Sequence, residues 1–184
     1  LALNVVDGAE VITTPRTFIA TSSSAVLLRA KPVFADVDPD SGCITASTIE
    51  PLITSKTVAI SVVHLGGWPA DMTSICDLAK AHNLSVIEDC AQAHGASILI
   101  DNVWKPVGSF GDIGAWSFCQ DKIMSTGGEG GMLTTSNRNL WDIMWSIKDH
   151  GKTWSSVYEK VHPSGYRWLH DRFGSNFRMT EMQS

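Results

Sequence analysis

The feature that most constrains the fold is an uninterrupted apolar run at Thr57–His64, TVAISVVH. The run is short and rich in β-branched residues, which is typical of a strand that is covered on both faces in a parallel sheet. A second such run, Leu84–Glu88 (LSVIE), follows an amphipathic helical pattern at Asp71–His82. Parallel neighbours need a crossover connection, so this order predicts a strand–helix–strand unit.

The remaining chain repeats this alternation of short strands and helices. Further strands are predicted at 10–14, 31–36, 115–118 and 131–135, and further helices at 18–29, 47–54 and 137–149. The rhythm predicts an α/β fold, a three-layer α/β/α arrangement around a mostly parallel sheet.

Three local features complete the prediction of the fold. Ser47 is the expected cap of the helix at 47–54. Residues 151–178 lack a clear period and are predicted to form an irregular loop, whereas Thr180 is expected to cap the first turn of a helix. We therefore expect a core over residues 1–150, followed over residues 151–184 by a loop and the start of a helix.

Composition narrows the classes of function. The 184 residues are 43% hydrophobic and 18% charged, which suits one globular domain, and the net charge of −5 disfavours nucleic-acid binding. No apolar run is long enough to predict a membrane span, and no G-x-G-x-x-G motif follows a strand, which disfavours a dinucleotide-binding domain. Four scattered cysteines and the lack of a secretory leader pattern predict free thiols in a reducing cytoplasm and no metal site.

One predicted strand ends in EDCAQAHGA, and ligands of open α/β sheets bind at the carboxyl ends of strands. A carboxylate in that position, Asp89, needs a partner because an unpaired buried charge is costly. Two interpretations stay open. Asp89 could cap a helical turn over residues 91–93, or it could pair with a protonated ring nitrogen of a cofactor, with Gln92 beside a neighbouring ring substituent.

A second strand end is followed by SFCQDKIMSTGGEGGM. Lys122 in this segment could be a solvated surface lysine or a reactive amine beside a cofactor. The glycines at 127–131 could form a tight turn or allow close approach of a ligand, and the Ser117 hydroxyl suits a phosphate oxygen. Together with Asp89, these residues are the parts that a pyridoxal phosphate site needs.

The motifs VIEDCAQAHGA, SFCQDKIMSTGGEGG and GSNFRMTEMQ resemble those of one family. The chain is similar over essentially its whole length to the DegT-like nucleotide-sugar aminotransferases, which are fold-type-I pyridoxal phosphate enzymes. Members of that family are longer. The resemblance therefore implies a partial chain from the large domain, with the small domain absent.

The resemblance implies roles for six residues. They are Lys122 as the Schiff-base lysine, Asp89 at the pyridine nitrogen, Gln92 near the phenolic oxygen, Ser117 at the phosphate, Phe18 stacked on the ring, and Asn176 reaching the phosphate of the neighbouring subunit's cofactor. The last role implies a homodimer with shared sites. Two alternatives remain, since Phe18 could be an ordinary core residue and Asn176 a loop cap.

The resemblance also implies a reaction. Some members carry histidine in place of the lysine and act as dehydratases, so Lys122 favours transamination. The expected reaction moves an amino group, with glutamate as the expected donor, to a keto group of a nucleotide-linked sugar, while Lys122 moves the proton. The alternative is a truncated, non-catalytic remnant that acts as a binding module. Aromatic residues at 154–166 could line a sugar pocket or pack together.

Overall fold

A six-stranded sheet organises residues 3–135 in the computed structural model, which describes residues 1–184. Its strands are β1 (Glu10–Thr13), β2 (Lys31–Phe34), β3 (Thr57–Val63), β4 (Ser85–Asp89), β7 (Ile113–Ser117) and β8 (Gly131–Thr134). The order is β2-β1-β3-β4-β7-β8, and all neighbours are parallel except β7 and β8. The predicted, mostly parallel sheet is confirmed.

Helices cover both faces of this sheet. In this part of the chain they are α1 (Ile19–Val26), α2 (Ala46–Ile49) and α3 (Met72–Ala81). Neighbouring residues of a strand point to opposite faces. Accordingly, Val11 lies in one apolar cluster with Ala25 of α1, whereas Ile12 lies in another with Ile75 of α3. The two clusters on opposite faces confirm the three-layer arrangement.

Helix α2 begins at Ala46, one residue before the predicted range 47–54, and the expected cap at Ser47 is wrong. Thr45 is the cap. Its side chain accepts a hydrogen bond from the Thr48 amide, and the Thr48 hydroxyl accepts one from the Thr45 amide. This reciprocal capping box places Ser47 inside the first turn. The helix passes into a 3₁₀ turn at Glu50–Leu52.

A two-stranded hairpin between β4 and β7 was not predicted. Its antiparallel strands are β5 (Ser97–Ile100) and β6 (Val103–Pro106). The turn residues Asp101 and Asn102 both have positive φ, 51° and 60°, which is the geometry that matches the twist of a tight hairpin. Asp and Asn tolerate this conformation better than most residues do.

Residues 136–184 form a separate compact unit, the C-terminal unit. It contains α4 (Arg138–Lys148) and α5 (Trp154–Tyr158), the second of which lies in the segment predicted to be irregular. Thr153 caps α5 by accepting a hydrogen bond from the Ser156 amide. The residues after Thr180 form a single turn, in which the amides of Gln183 and Ser184 donate to the Thr180 carbonyl at 3.0 and 3.1 Å and the Thr180 hydroxyl donates to Gln183 Oε1.

The domain roles expected for residues 1–150 and 151–184 stay predictions. None of the five helices is both long enough and apolar enough to cross a membrane.

Candidate active site

The predicted site residues of the sheet unit (residues 3–135) gather at the carboxyl edge of the sheet. Asp89 ends β4 and pairs in register with Ala115 of β7. The next residue, Cys90, donates its amide proton to the Ala115 carbonyl over 2.8 Å. Ser117 ends β7 only two positions further along. The two strand ends singled out in the sequence are therefore neighbours in the fold.

The Asp89 carboxylate is held at both oxygens. Oδ1 accepts a hydrogen bond from the Ala91 amide at 3.1 Å, and Oδ2 accepts one from the Thr21 hydroxyl at 2.8 Å. The residues after Asp89 form a turn and no helix, so Asp89 does not cap a helix. A carboxylate offers about four acceptor positions. Asp89 therefore keeps capacity for a further donor.

Phe18 lies directly before α1, and its side chain is 70% exposed. The alternative that places Phe18 in the core is therefore wrong. Its carbonyl accepts a hydrogen bond from the Thr21 amide at 3.2 Å, and the Thr21 side chain reaches Asp89. One residue of α1 thus connects the exposed ring with the carboxylate.

The orientation of the Gln92 side chain follows from its partner. Gln92 Oε1 accepts the backbone N–H of Gly66 at 2.8 Å. A backbone N–H can only donate, so the oxygen faces Gly66 and the amide NH₂ is left to donate elsewhere. Gly66 has a φ of 60°, a left-handed conformation that residues with a Cβ rarely adopt.

Lys122 follows Ser117 in the loop after β7. Its backbone N–H donates to the Cys119 carbonyl at 3.1 Å, and the Cys119 amide donates to Ser117 Oγ at 3.4 Å. The Lys122 side chain is only 15% exposed, and its Nζ lies 4.0 Å from Asp121 Oδ1. The alternative of a freely solvated lysine therefore does not hold.

The carboxylate beside this lysine is stabilised in its charged form. The Cys119 thiol donates to Asp121 Oδ1 at 2.6 Å. This hydrogen bond, together with the nearby Lys122 charge, lowers the pKa of Asp121. Lys122 thus has an anionic neighbour.

His94 lies beneath the same edge, with its ring between Trp116 and Phe118 at centroid distances of 5.6 and 5.7 Å. Both ring nitrogens are buried and have no hydrogen-bond partner. Buried polar atoms are nearly always paired in folded proteins. The two His94 nitrogens are therefore a donor and an acceptor that remain free for hydrogen bonds at this part of the sheet.

A fully buried pair, Glu88 and His64, supports this edge, and the sequence analysis assigned no role to either residue. His64 Nε2 lies 3.1 Å from Glu88 Oε2, and His64 Nδ1 accepts the Ala70 amide at 3.1 Å. The Nδ1 bond leaves the proton of a neutral imidazole on Nε2, where it donates to Glu88. Three backbone amides of the segment 108–111 also donate to Glu88, each at 2.7 Å.

Burial by itself would raise the pKa of Glu88, but these hydrogen bonds outweigh burial and lower it. Glu88 is therefore an ionised, fully partnered carboxylate that ties the segment 108–111 to β4. No periodicity signals this role, because both faces of β4 are covered.

His64, Glu88 and Cys90 also place possible metal-ligand atoms within 4.8 Å of one another. The chemistry of the set disfavours a metal. The lone pair of His64 Nδ1 and both Glu88 oxygens already accept hydrogen bonds, and burial raises the pKa of the Cys90 thiol. Metal ligation needs a deprotonated thiol. We interpret the cluster as a structural hydrogen-bond network.

Asn176 lies in the C-terminal unit, where its backbone pairs with Asp149 in an antiparallel bridge. Its Oδ1 accepts a hydrogen bond from Arg178 Nε at 2.9 Å. A guanidinium only donates, so the Asn176 oxygen is engaged and its NH₂ is left to donate. Arg178 Nη1 also lies 3.4 Å from Asp149 Oδ1. Burial by itself would raise the pKa of Asp149, but the hydrogen bond from Lys152 and the charges of Lys152 and Arg178 lower it.

A comparison with protein families adds independent evidence. The family model described as the DegT/DnrJ/EryC1/StrS aminotransferase family matches residues 1–184. The chain belongs to the DegT/DnrJ/EryC1/StrS aminotransferase family. The match covers both compact units and every residue that the sequence analysis singled out.

Relatives within the family agree with this assignment. The chain is 43% identical over 183 residues to the UDP-N-acetyl-3-dehydro-alpha-D-glucosamine 3-aminotransferase of Acidithiobacillus ferrooxidans, covering 100% of this chain and 45% of that relative. The chain therefore spans less than half the length of this relative.

Solved structures of other proteins share the fold. An aminotransferase from Psychrobacter cryohalolentis is 60% identical, with a TM-score of 0.95 over 99% of this chain and 45% of that one. NtdA from Bacillus subtilis, solved with bound cofactor PMP, is 31% identical, with a TM-score of 0.82 over 99% of this chain and 38% of that one.

Proposed function

We propose that this chain holds pyridoxal phosphate at the carboxyl edge of its sheet and forms part of an aminotransferase. The observation that carries the proposal is the convergence of Asp89 and Ser117 at neighbouring strand ends, with the largely buried Lys122 in the loop that follows. The family match and the cofactor bound to NtdA support it.

The chemistry of the residues fits this cofactor. Asp89 has unused acceptor capacity for a ring N–H, and the NH₂ of Gln92 can donate to a phenolic oxygen. Ser117 offers a hydroxyl to a phosphate, and the exposed ring of Phe18 offers a face for stacking. Each expected contact therefore has a group of the right polarity at this edge.

When bound, pyridoxal phosphate supplies an electron sink that stabilises negative charge at the substrate carbon. Asp89 would hold the ring nitrogen protonated, which strengthens that sink. Lys122 would carry the proton between the Cα of the amino donor and C4′ of the cofactor, as a positioned general acid and base. Its side chain is only 15% exposed, which limits the contact of this group with water.

The proposed acceptor is a keto group on a nucleotide-linked sugar, because the Acidithiobacillus relative is named for such a substrate. Glutamate is the proposed amino donor. We further propose a cytoplasmic homodimer in which the free NH₂ of Asn176 donates to the cofactor phosphate of the neighbouring copy. Residues 154–166 remain candidates for contacts with the sugar.

A second candidate is a non-catalytic member of the family that binds cofactor or a partner without turnover. The observation that favours it is a set of large apolar side chains exposed in the C-terminal unit, among them Val161, Trp168 and Phe173, which suit binding to a partner.

One titration separates these candidates. Pyridoxal phosphate is added to the purified chain and to Lys122→Ala, and visible absorption is recorded, followed by an assay with glutamate and keto-sugar nucleotides. We expect a new band with the natural chain that is lost in the variant, together with amino transfer. A Lys122-dependent band without transfer favours the second candidate. The lack of any such band contradicts the cofactor proposal.

A further inference from the structure

We infer that Thr21 is a positioning residue for Asp89 and that Thr17 supports it, so that two hydroxyls aim the carboxylate at the ring nitrogen of the cofactor. The inference rests on the proposed function. Its structural basis is a hydrogen bond of 2.8 Å from Thr21 Oγ1 to Asp89 Oδ2, between residues 68 positions apart, and a contact of 2.9 Å between the hydroxyls of Thr17 and Thr21.

The number of protons on each hydroxyl decides which threonine donates in the contact between Thr17 and Thr21. A hydroxyl carries one proton, and Thr21 gives its proton to Asp89. The contact between the two threonines must therefore have Thr17 as the donor. Successive hydrogen bonds in one direction polarise each other, so Thr17 strengthens the bond that Thr21 makes.

This arrangement locks the plane of the carboxylate. The Ala91 amide holds Oδ1 while Thr21 holds Oδ2, so rotation of the carboxylate about its Cβ–Cγ bond would break both hydrogen bonds. The remaining lone pairs then point in fixed directions. A ring N–H that needs one of these lone pairs finds it already oriented, which reduces the entropy lost on binding.

Thr21 also couples two groups that would hold the same ring. Its backbone N–H donates to the Phe18 carbonyl at 3.2 Å, while its side chain donates to Asp89. Phe18 would lie against the face of the ring and Asp89 would lie in its plane. A single residue in the first turn of α1 therefore sets the position of a stacking side chain relative to a charged one.

Valine at position 21 tests this role most directly. Thr21→Val preserves the β-branched shape and removes only the hydroxyl, whereas Thr21→Ser keeps the hydroxyl and serves as the matched control. The ligands are pyridoxamine phosphate, which forms no covalent bond to Lys122, and its analogue with carbon in place of the ring nitrogen. Dissociation constants are measured by equilibrium dialysis, and thermal unfolding is recorded for each variant.

We expect Thr21→Val to weaken binding of pyridoxamine phosphate about tenfold, the effect of one hydrogen bond to a charged group. Binding of the carbon analogue should change less than about twofold, because that ligand does not use Asp89 as an acceptor. Thr21→Ser should bind both ligands like the natural chain. Thr17→Val should weaken binding of pyridoxamine phosphate relative to the carbon analogue by about twofold, a smaller change in the same direction.

Two results would overturn the inference while leaving the proposed function intact. One is an equal loss of affinity for both ligands in Thr21→Val, which would assign Thr21 a purely structural role. The other is unchanged affinity for pyridoxamine phosphate. If the natural chain binds neither ligand, the proposed function fails, and the inference fails with it.

Discussion

Different kinds of contact fix the polar side chains of the sheet unit and of the C-terminal unit. Residues 3–135 contain 14 acidic and seven basic side chains, and each of two key carboxylates, Glu88 and Asp89, has at least one hydrogen-bond partner distant in the sequence. Residues 136–184 contain five acidic and seven basic side chains, and many of their large apolar side chains are exposed. Order there comes from aromatic contacts and from ion pairs, one exposed between Arg138 and Asp142 and one between Arg178 and the largely buried Asp149.

This difference indicates which polar side chains are held in a single orientation. A carboxylate that receives several donors within a covered sheet keeps one orientation, because any movement leaves a buried polar group unpaired. An exposed ion pair loses little when it opens, because water replaces the partner. Asp89, the proposed contact of the ring nitrogen, receives two such donors.

We expect the largest effect from a substitution that disrupts the buried hydrogen-bond network of Glu88. Glu88→Gln places an amide NH₂ against donors from His64 and the segment 108–111. We expect the free energy of unfolding to fall by about 3 kcal/mol, since breaking a buried charged network is strongly destabilising. Urea denaturation measures it. A loss below about 1 kcal/mol would show that the network is not a major support.

The same carboxylate predicts a dependence on pH. The pKa of Glu88 is lowered in the folded state, so its contribution to stability is present above the unfolded value of about 4.3 and is lost as pH falls through the lower folded value. We expect the stability difference between the natural chain and Glu88→Gln to shrink from about pH 5 to about pH 3. Comparing the two chains cancels the other carboxylates. A constant difference would contradict the assignment of charge.

In the C-terminal unit, Trp154 should have the largest effect. Its ring lies 5.5 Å from each of Trp141 and Trp145 and 4.3 Å from Tyr158. We expect Trp154→Ala to lower the free energy of unfolding by about 2 kcal/mol and to speed amide hydrogen exchange in α4 and α5. Trp168, 82% exposed, is the matched control. Equal effects of both substitutions would refute a specific role for the aromatic cluster.

The smallest expected effect concerns the ion pair between Arg138 and Asp142, 3.2 Å apart on the surface of α4. Asp142→Asn should change the free energy of unfolding by less than about 0.5 kcal/mol, because exposed pairs one helical turn apart contribute little. Urea denaturation in low and high salt tests this. A change approaching that of Glu88→Gln would remove the contrast between the two units.

The residue pattern was sufficient to predict most strands and helices of the sheet unit. The run at Thr57–His64 and the helix after Asp71 were predictable because apolar periodicity reports burial directly. The hairpin around Asp101 and Asn102 was missed, since its strands are short and mostly exposed and carry no clear alternation. The cap of α2 was misplaced because serine is intrinsically a better capping residue than threonine, so local preference favoured Ser47 over Thr45.

The sequence by itself determined the order of the strands and helices of the main sheet, the family, and the residue types at the candidate site. Only the tertiary structure decided which partner each side chain has. The bond from Thr21 to Asp89 joins residues 68 positions apart, and the opposite surroundings of Glu88 and Asp89 arise because neighbouring residues of one strand face different layers. Periodicity reports that a position is buried, whereas the identity of its neighbour depends on how distant segments pack.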